Sequence, residues 1–158
     1  MFAPDLTDTA RTLLETFRAQ RMTLATAESC TGGLIAALLT EIPGSSDVFT
    51  HGFITYANAA KTSMLNINPS LIAIHGAVSA EVARLMALNA QRASGADVAV
   101  AVTGIAGPGG GTEQKPVGLV HLAVARADGT VTHAEHRFTG DRSSIRLQAL
   151  RTALGMVV

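Results

Sequence analysis

Apolar side chains recur along this chain with two periods that alternate. Leu6, Leu13, Leu14 and Phe17 fall at helical spacing, so residues from about 5 to 20 read as an amphipathic helix. The continuous run from Met22 to Ala27 reads as a short buried strand, and residues from about 31 to 41 read as a helix stopped at Pro43-Gly44. Val48, Phe49, Phe53, Ile54 and Tyr56, with Thr50 and Thr55 between them, predict a long strand. Short helices are expected through Ala59 to Leu65 and from Pro69 to His75-Gly76. Ser79 followed by Glu81-Val82 opens a clearer helix to about Ala93, with Val82, Leu85, Met86 and Leu88 on one face. Asp97 to Val102 predicts a strand, and Leu119 to Ala125 and Val131 to Phe138 predict a hairpin turning at Asp128-Gly129. Asp141 is placed to cap a last helix through Leu154.

Helices and strands alternate until the terminal hairpin, so the expected fold is α/β: one domain over residues 1–158, with a mixed central sheet between helical layers. The glycine-rich stretch from Thr103 to Pro116 is too long for a simple turn, and loops of that length in compact domains are often functional.

Composition narrows the function classes. With 47% hydrophobic and 15% charged residues the chain must bury a core rather than remain disordered. Twelve basic and twelve acidic side chains balance, so no general attraction to nucleic acid or acidic membrane is expected, and anion recognition must be local. Few aromatics (4%, no Trp) argue against a base-stacking platform. The single cysteine, Cys30, excludes an internal disulfide and fits a reducing compartment. No window reaches the length of a membrane span, and Asp5, Asp8 and Glu15 interrupt any leader-like segment, so a cytoplasmic location is expected. Apolar strand positions such as Phe49 and Phe53, if exposed, leave room for a homo-oligomer.

The chemistry concentrates where the first strand gives way to a helix, at Thr26-Ala27-Glu28-Ser29-Cys30-Thr31-Gly32-Gly33. Ser29 there is either a helix N-cap or a nucleophile, and the two roles are compatible. A serine hydroxyl needs a base. Five histidines are candidates, but none lies in a triad motif, and His133 and His136 read as solvated strand positions. The chain has two lysines. Lys61 follows Tyr56-Ala57-Asn58-Ala59-Ala60 among small and apolar residues; burial there would lower its proton affinity and make it a competent base. Tyr56 reads either as an interfacial aromatic or as a hydroxyl that orients the lysine or relays a proton. The Thr103-to-Thr112 loop lacks Walker and dinucleotide-binding signatures but can present backbone N–H groups to a ligand. Arg142 and Arg146, four apart at the start of the last helix, read as surface arginines or as a phosphate clamp. No metal-ligand spacing stands out, and no metal or cofactor is expected.

Taken together the segments resemble the C-terminal domain family of the competence/damage-inducible protein CinA. The resemblance rests on Thr26 to Gly33, Pro43-Gly44-Ser45-Ser46, Tyr56 to Lys61, Gly76-Ala77-Val78-Ser79, Val102 to Pro108, Lys115-Pro116-Val117-Gly118 and Gly140-Asp141-Arg142, in that order. It implies an α/β/α sandwich and a Ser/Lys amidohydrolase acting on nicotinamide mononucleotide, in pyridine nucleotide salvage. It also implies a nucleophile at Ser29, a base at Lys61 and Tyr56 beside them. The pocket would be lined by Cys30, Thr31, Gly32 and Gly33, by Asn58, and by Thr103, Gly104, Ile105, Ala106 and Gly107, with Arg142 toward a substrate phosphate. Ala57 stands where many relatives have serine, and Leu119 where threonine is commoner. The alternative is a non-catalytic nucleotide-binding or competence-associated regulatory domain in which Ser29 is only a cap.

Overall fold

The computed structural model describes residues 1–158. Five strands, β1 (Leu24–Glu28), β2 (Phe49–Ile54), β3 (Val98–Gly104), β4 (Leu119–Arg126) and β5 (Val131–Arg137), form one sheet in the order β2-β1-β3-β4-β5. β1 is parallel to β2 and β3, while β3, β4 and β5 are successively antiparallel. The helices are α1 (Pro4–Ala19), α2 (Leu34–Thr40), α3 (Asn58–Leu65), α4 (Pro69–His75), α5 (Ala80–Ser94) and α6 (Arg142–Val157). A short 3-10 turn at Ser45–Asp47 precedes β2. The mixed sheet between helical layers is as the alternation predicts.

The two faces of the sheet differ in side-chain size. Leu24, Val98, Val100, Val102, Leu122 and Val124 point to the layer of α1, α2 and α6. Ala25, Ala27, Ala99, Ala101, Ala123 and Ala125 point to the layer of α3, α4 and α5. Strand alternation separates the two sets. Facing the alanine rows, α5 presents Val82, Ala83, Met86, Ala87 and Ala90, all fully buried. The alanine rows of the sheet, with Ala83, Ala87 and Ala90 of the helix, let the two approach closely, and Val82 and Met86 fill the space between.

Chain order positions the site. From β1 the chain passes through α2 to β2 on one side; from β2 it passes through α3, α4 and α5 to β3 on the other side of β1. The carboxyl end of β1 is therefore a topological switch point, where crossovers on opposite faces leave a crevice.

Three expectations need correction. β1 begins at Leu24 rather than Met22, because the Met22 N–H still closes α1 onto the Phe17 carbonyl. Phe49 and Phe53 are half-buried rather than exposed, packed against the branched and the alanine side of the core respectively. His133 is not a solvated position: its Nε2 lies 2.9 Å from Nδ1 of His121, and burial holds both imidazoles below their ordinary pKa.

One residue in the long loop is committed by backbone geometry. Gly118 has φ +95°, and a Cβ there would collide with the Phe138 carbonyl oxygen, which belongs to the backbone and cannot rotate away. Gly118→Ala is expected to destabilise the fold by more than about 2 kcal/mol in urea unfolding, through strain at a left-handed position plus overlap. A loss below about 0.5 kcal/mol, the range of neutral surface changes, would contradict this.

Candidate active site

Strand alternation sends consecutive residues at the end of β1 to opposite faces. Glu28 points toward α2 and Ser29 toward α3. The Ser29 N–H donates to the Val102 carbonyl (2.9 Å) and the Thr55 N–H donates to the Glu28 carbonyl (2.9 Å), so the backbone around Ser29 is tied to both neighbouring strands.

Lys61 arrives from α3. With Leu65 it forms the buried side of that helix, one turn apart. Its side chain is only 1% exposed. Nζ donates to the Thr55 carbonyl (2.9 Å) and lies 3.0 Å from Ser29 Oγ. That second hydrogen bond runs from Nζ–H to Oγ when the lysine is an ammonium, and from Oγ–H to Nζ when it is an amine. Burial lowers the Lys61 pKa, with the neighbourhood of Cys30 opposing the shift. Two side chains 32 residues apart thus meet in a buried contact between a hydroxyl and a weakened base.

The pair opens onto a cavity of about 240 Å³, whose walls include Ser29, Cys30, Lys61, Tyr56, Asn58 and Arg142. Thr103, Gly104 and Ala106 of the long loop complete it, together with Ala77 and Val78. Ala77 and Val78 precede α5 and were not among the expected site residues. Their signal in the sequence is the Gly76-to-Ser79 box, and the Thr103 hydroxyl fixes that segment by donating to the Ala77 carbonyl (2.8 Å). A larger cavity of about 460 Å³ lies between α3 and α4, but its wall carries no titratable side chain.

Other expected residues sit elsewhere. Thr31, Gly32 and Gly33 do not line the cavity. Thr31 is buried, with its carbonyl accepting from Arg146 Nη2 (2.8 Å) and from the Leu34 N–H (3.2 Å), and Gly33 is the N-cap of α2. Ile105 and Gly107 also do not line the cavity. The Ile105 backbone is held by Leu119 and Gly118, and the Gly107 carbonyl accepts from Arg142 Nη1 (2.8 Å). Tyr56 makes no hydrogen bond to Lys61; its hydroxyl accepts from Arg142 Nη2 at 2.7 Å. The lysine is oriented by the Thr55 carbonyl instead.

Ser29 is not the N-cap of α2. The N-terminus of that helix is filled by Glu28, a carboxylate with no exposed surface that accepts from the N–H groups of Gly33, Ile35 and Ala36 at 2.9–3.1 Å. The helix end is therefore satisfied internally, and the unclaimed donors lie one turn earlier: the N–H groups of Cys30 and Thr31 have no intramolecular acceptor. The Cys30 thiol is not a rival nucleophile, because burial pushes its pKa up to about 11. No group of three or more His, Cys, Asp or Glu side chains converges anywhere in the fold, and no helix is long and apolar enough to cross a membrane.

An α/β/α domain with a mixed sheet, a switch-point cleft and a buried serine–lysine contact is the class that fold and geometry define. The chain belongs to the CinA C-terminal domain family, whose profile matches residues 6–158. Among curated relatives it is 54% identical to the nicotinamide-nucleotide amidohydrolase PncC of Enterobacter agglomerans, over 81% of this chain and 80% of that protein. It is 52% identical to a CinA-like protein of Geobacter sp. strain M21, over 98% of this chain but 37% of that protein. The chain thus spans little more than a third of the CinA-like relatives it matches. The crystal structure of the competence/damage inducible protein CihA from Agrobacterium tumefaciens superposes with a TM-score of 0.96 at 50% identity, covering 99% of this chain and 95% of that one.

The lowered pKa of Lys61 has a stability consequence of definite sign. The unfolded chain binds a proton at this lysine up to pH 10.5, the folded chain only up to its lower pKa, so unfolding takes up a proton between those values. Folding stability therefore rises with pH across that window. Relative to Lys61→Met, wild type is expected to gain up to about 1.4 kcal/mol per pH unit there, read by urea unfolding from about pH 7 to about pH 10. A pH-independent difference would mean that the buried amine keeps its ordinary proton affinity.

Proposed function

We propose that this protein hydrolyses the carboxamide of nicotinamide mononucleotide, giving nicotinate mononucleotide and ammonia. The observation that carries this reading is the 3.0 Å contact between Ser29 Oγ and the desolvated Lys61 Nζ at a switch-point cleft. The relationship to PncC supports the choice of amide.

In the proposed sequence neutral Lys61 takes the Ser29 proton as Oγ attacks the carboxamide carbon. The charge developing on the amide oxygen falls to the free N–H group of Cys30 in the cavity wall, a donor that needs no reorganisation. The Lys61 ammonium returns its proton to the departing nitrogen, and ammonia leaves. Water then attacks the acyl-enzyme as Lys61 accepts its proton; the bond from the acyl carbon to Oγ breaks, Lys61 returns the proton to Ser29 Oγ, and nicotinate mononucleotide is released. Arg142, braced by the Gly107 carbonyl and the Tyr56 hydroxyl, keeps further N–H donors for the phosphate. Binding there holds the ring against Ser29. In this reading the reaction serves pyridine nucleotide salvage, in the cytoplasm.

Ser29→Ala is expected to lower ammonia release by about 10⁴-fold or more while the circular dichroism spectrum and melting temperature stay near wild type. Undiminished turnover in that variant would exclude the mechanism. Wild type that binds the mononucleotide without releasing ammonia would favour a regulatory nucleotide-binding domain. Arg142→Gln is expected to raise KM about tenfold, equivalent to about 1.4 kcal/mol of binding, with a smaller change in kcat. The same variant acting on the riboside without phosphate should match wild type. An equal loss on both substrates would place Arg142's role elsewhere.

A further inference from the structure

The nucleophile turn is held from below by a charged group that the reaction sequence does not use. Glu28 lies in the branched-residue layer of the core, registered with Val102 and Ile54 on the neighbouring strands. A buried carboxylate in such surroundings is costly unless its lone pairs are satisfied. Here Oε2 accepts from Gly33 and Ile35 and Oε1 from Ala36, so both oxygens are engaged. The Leu34 N–H goes to the Thr31 carbonyl. The first N–H groups of α2 are thereby used, and the short turn from Ser29 to Gly33 is clamped between β1 and the helix it leads into.

We propose that Glu28 is a positioning residue for the proposed amidohydrolase reaction, its carboxylate fixing the Ser29–Gly33 turn so that Ser29 Oγ and the Cys30 N–H, both in the cavity wall, keep their aim at the reacting carbonyl. A second tie supports the same element from α6: Arg146 Nη2 donates to the Thr31 carbonyl at 2.8 Å. Clamping works because Glu28 is the last residue of β1 and Ser29 is the next in the chain. Any movement of the carboxylate toward α2 is transmitted through one peptide to the nucleophile on the opposite face. Charge matters as well as shape. A neutral amide offers only one accepting atom and must set an N–H against one of the helix donors.

This inference rests on the serine mechanism above, and the test separates the two. Wild type, Glu28→Gln and Glu28→Asp are compared by steady-state ammonia release from nicotinamide mononucleotide. They are also compared by the rate at which a fluorophosphonate labels Ser29, read by mass spectrometry of the labelled peptide. Both variants are expected to lose about 10- to 100-fold in kcat and in labelling rate with KM within about twofold of wild type, the signature of misplaced reacting groups. Glu28→Asp keeps the charge but withdraws it by one methylene, and it carries the test if Glu28→Gln does not fold. Folded variants with wild-type kcat and labelling rate would overturn the inference while leaving the serine mechanism standing. Wild type that neither labels nor releases ammonia would overturn both.

Discussion

The site depends on an amine buried inside the fold. A lysine on a short exposed helix ordinarily turns its charge to solvent. Lys61 cannot, because it shares its inward direction with Leu65 and α3 is anchored by that residue in the core. Its nitrogen meets one carbonyl and one hydroxyl, too few acceptors to replace the hydration of an ammonium. Weakened proton affinity follows directly. The same burial makes the site a local liability to the fold near neutral pH, the usual relation between reactive groups and stability.

Sheet topology delivers the rest. The central strand ends at a point where the chain departs on both faces, and its last residues divide their side chains between the two layers. One face receives a carboxylate that organises a helix; the other receives the hydroxyl. Thr55 links the two arrangements: its N–H holds the end of β1 and its carbonyl holds the lysine. A backbone unit with no side-chain chemistry thus sets the distance between the serine hydroxyl and the lysine amine.

Much of this was legible along the chain. The order of elements, the strand-to-helix turn at Ser29, and a lysine among small and apolar neighbours were all readable from periodicity and composition. What escaped reading depends on contacts between distant segments. Helix caps are sought just before a helix, but the cap of α2 comes from Glu28, five to eight positions upstream of its donors and inside a strand. Tyr56 looked like a partner for the nearby lysine; its hydroxyl instead meets Arg142, 86 residues away. Ile105 and Gly107 looked equivalent to their loop neighbours. Only the fold distinguishes backbone that faces the cleft from backbone that braces it.

The unequal faces of the sheet carry a further implication. Where methyl groups oppose methyl groups, as in the rows Ala27-Ala101-Ala123 and Ala25-Ala99-Ala125 beneath α5, no slack exists to absorb added volume. On the opposite side the core is made of larger, branched residues, and it is loss of volume that opens voids. Substitutions of opposite sense are therefore harmful on the two sides of the same strands. Sequence drift in this domain is bounded from above on one flank and from below on the other, with the reactive cleft suspended between them.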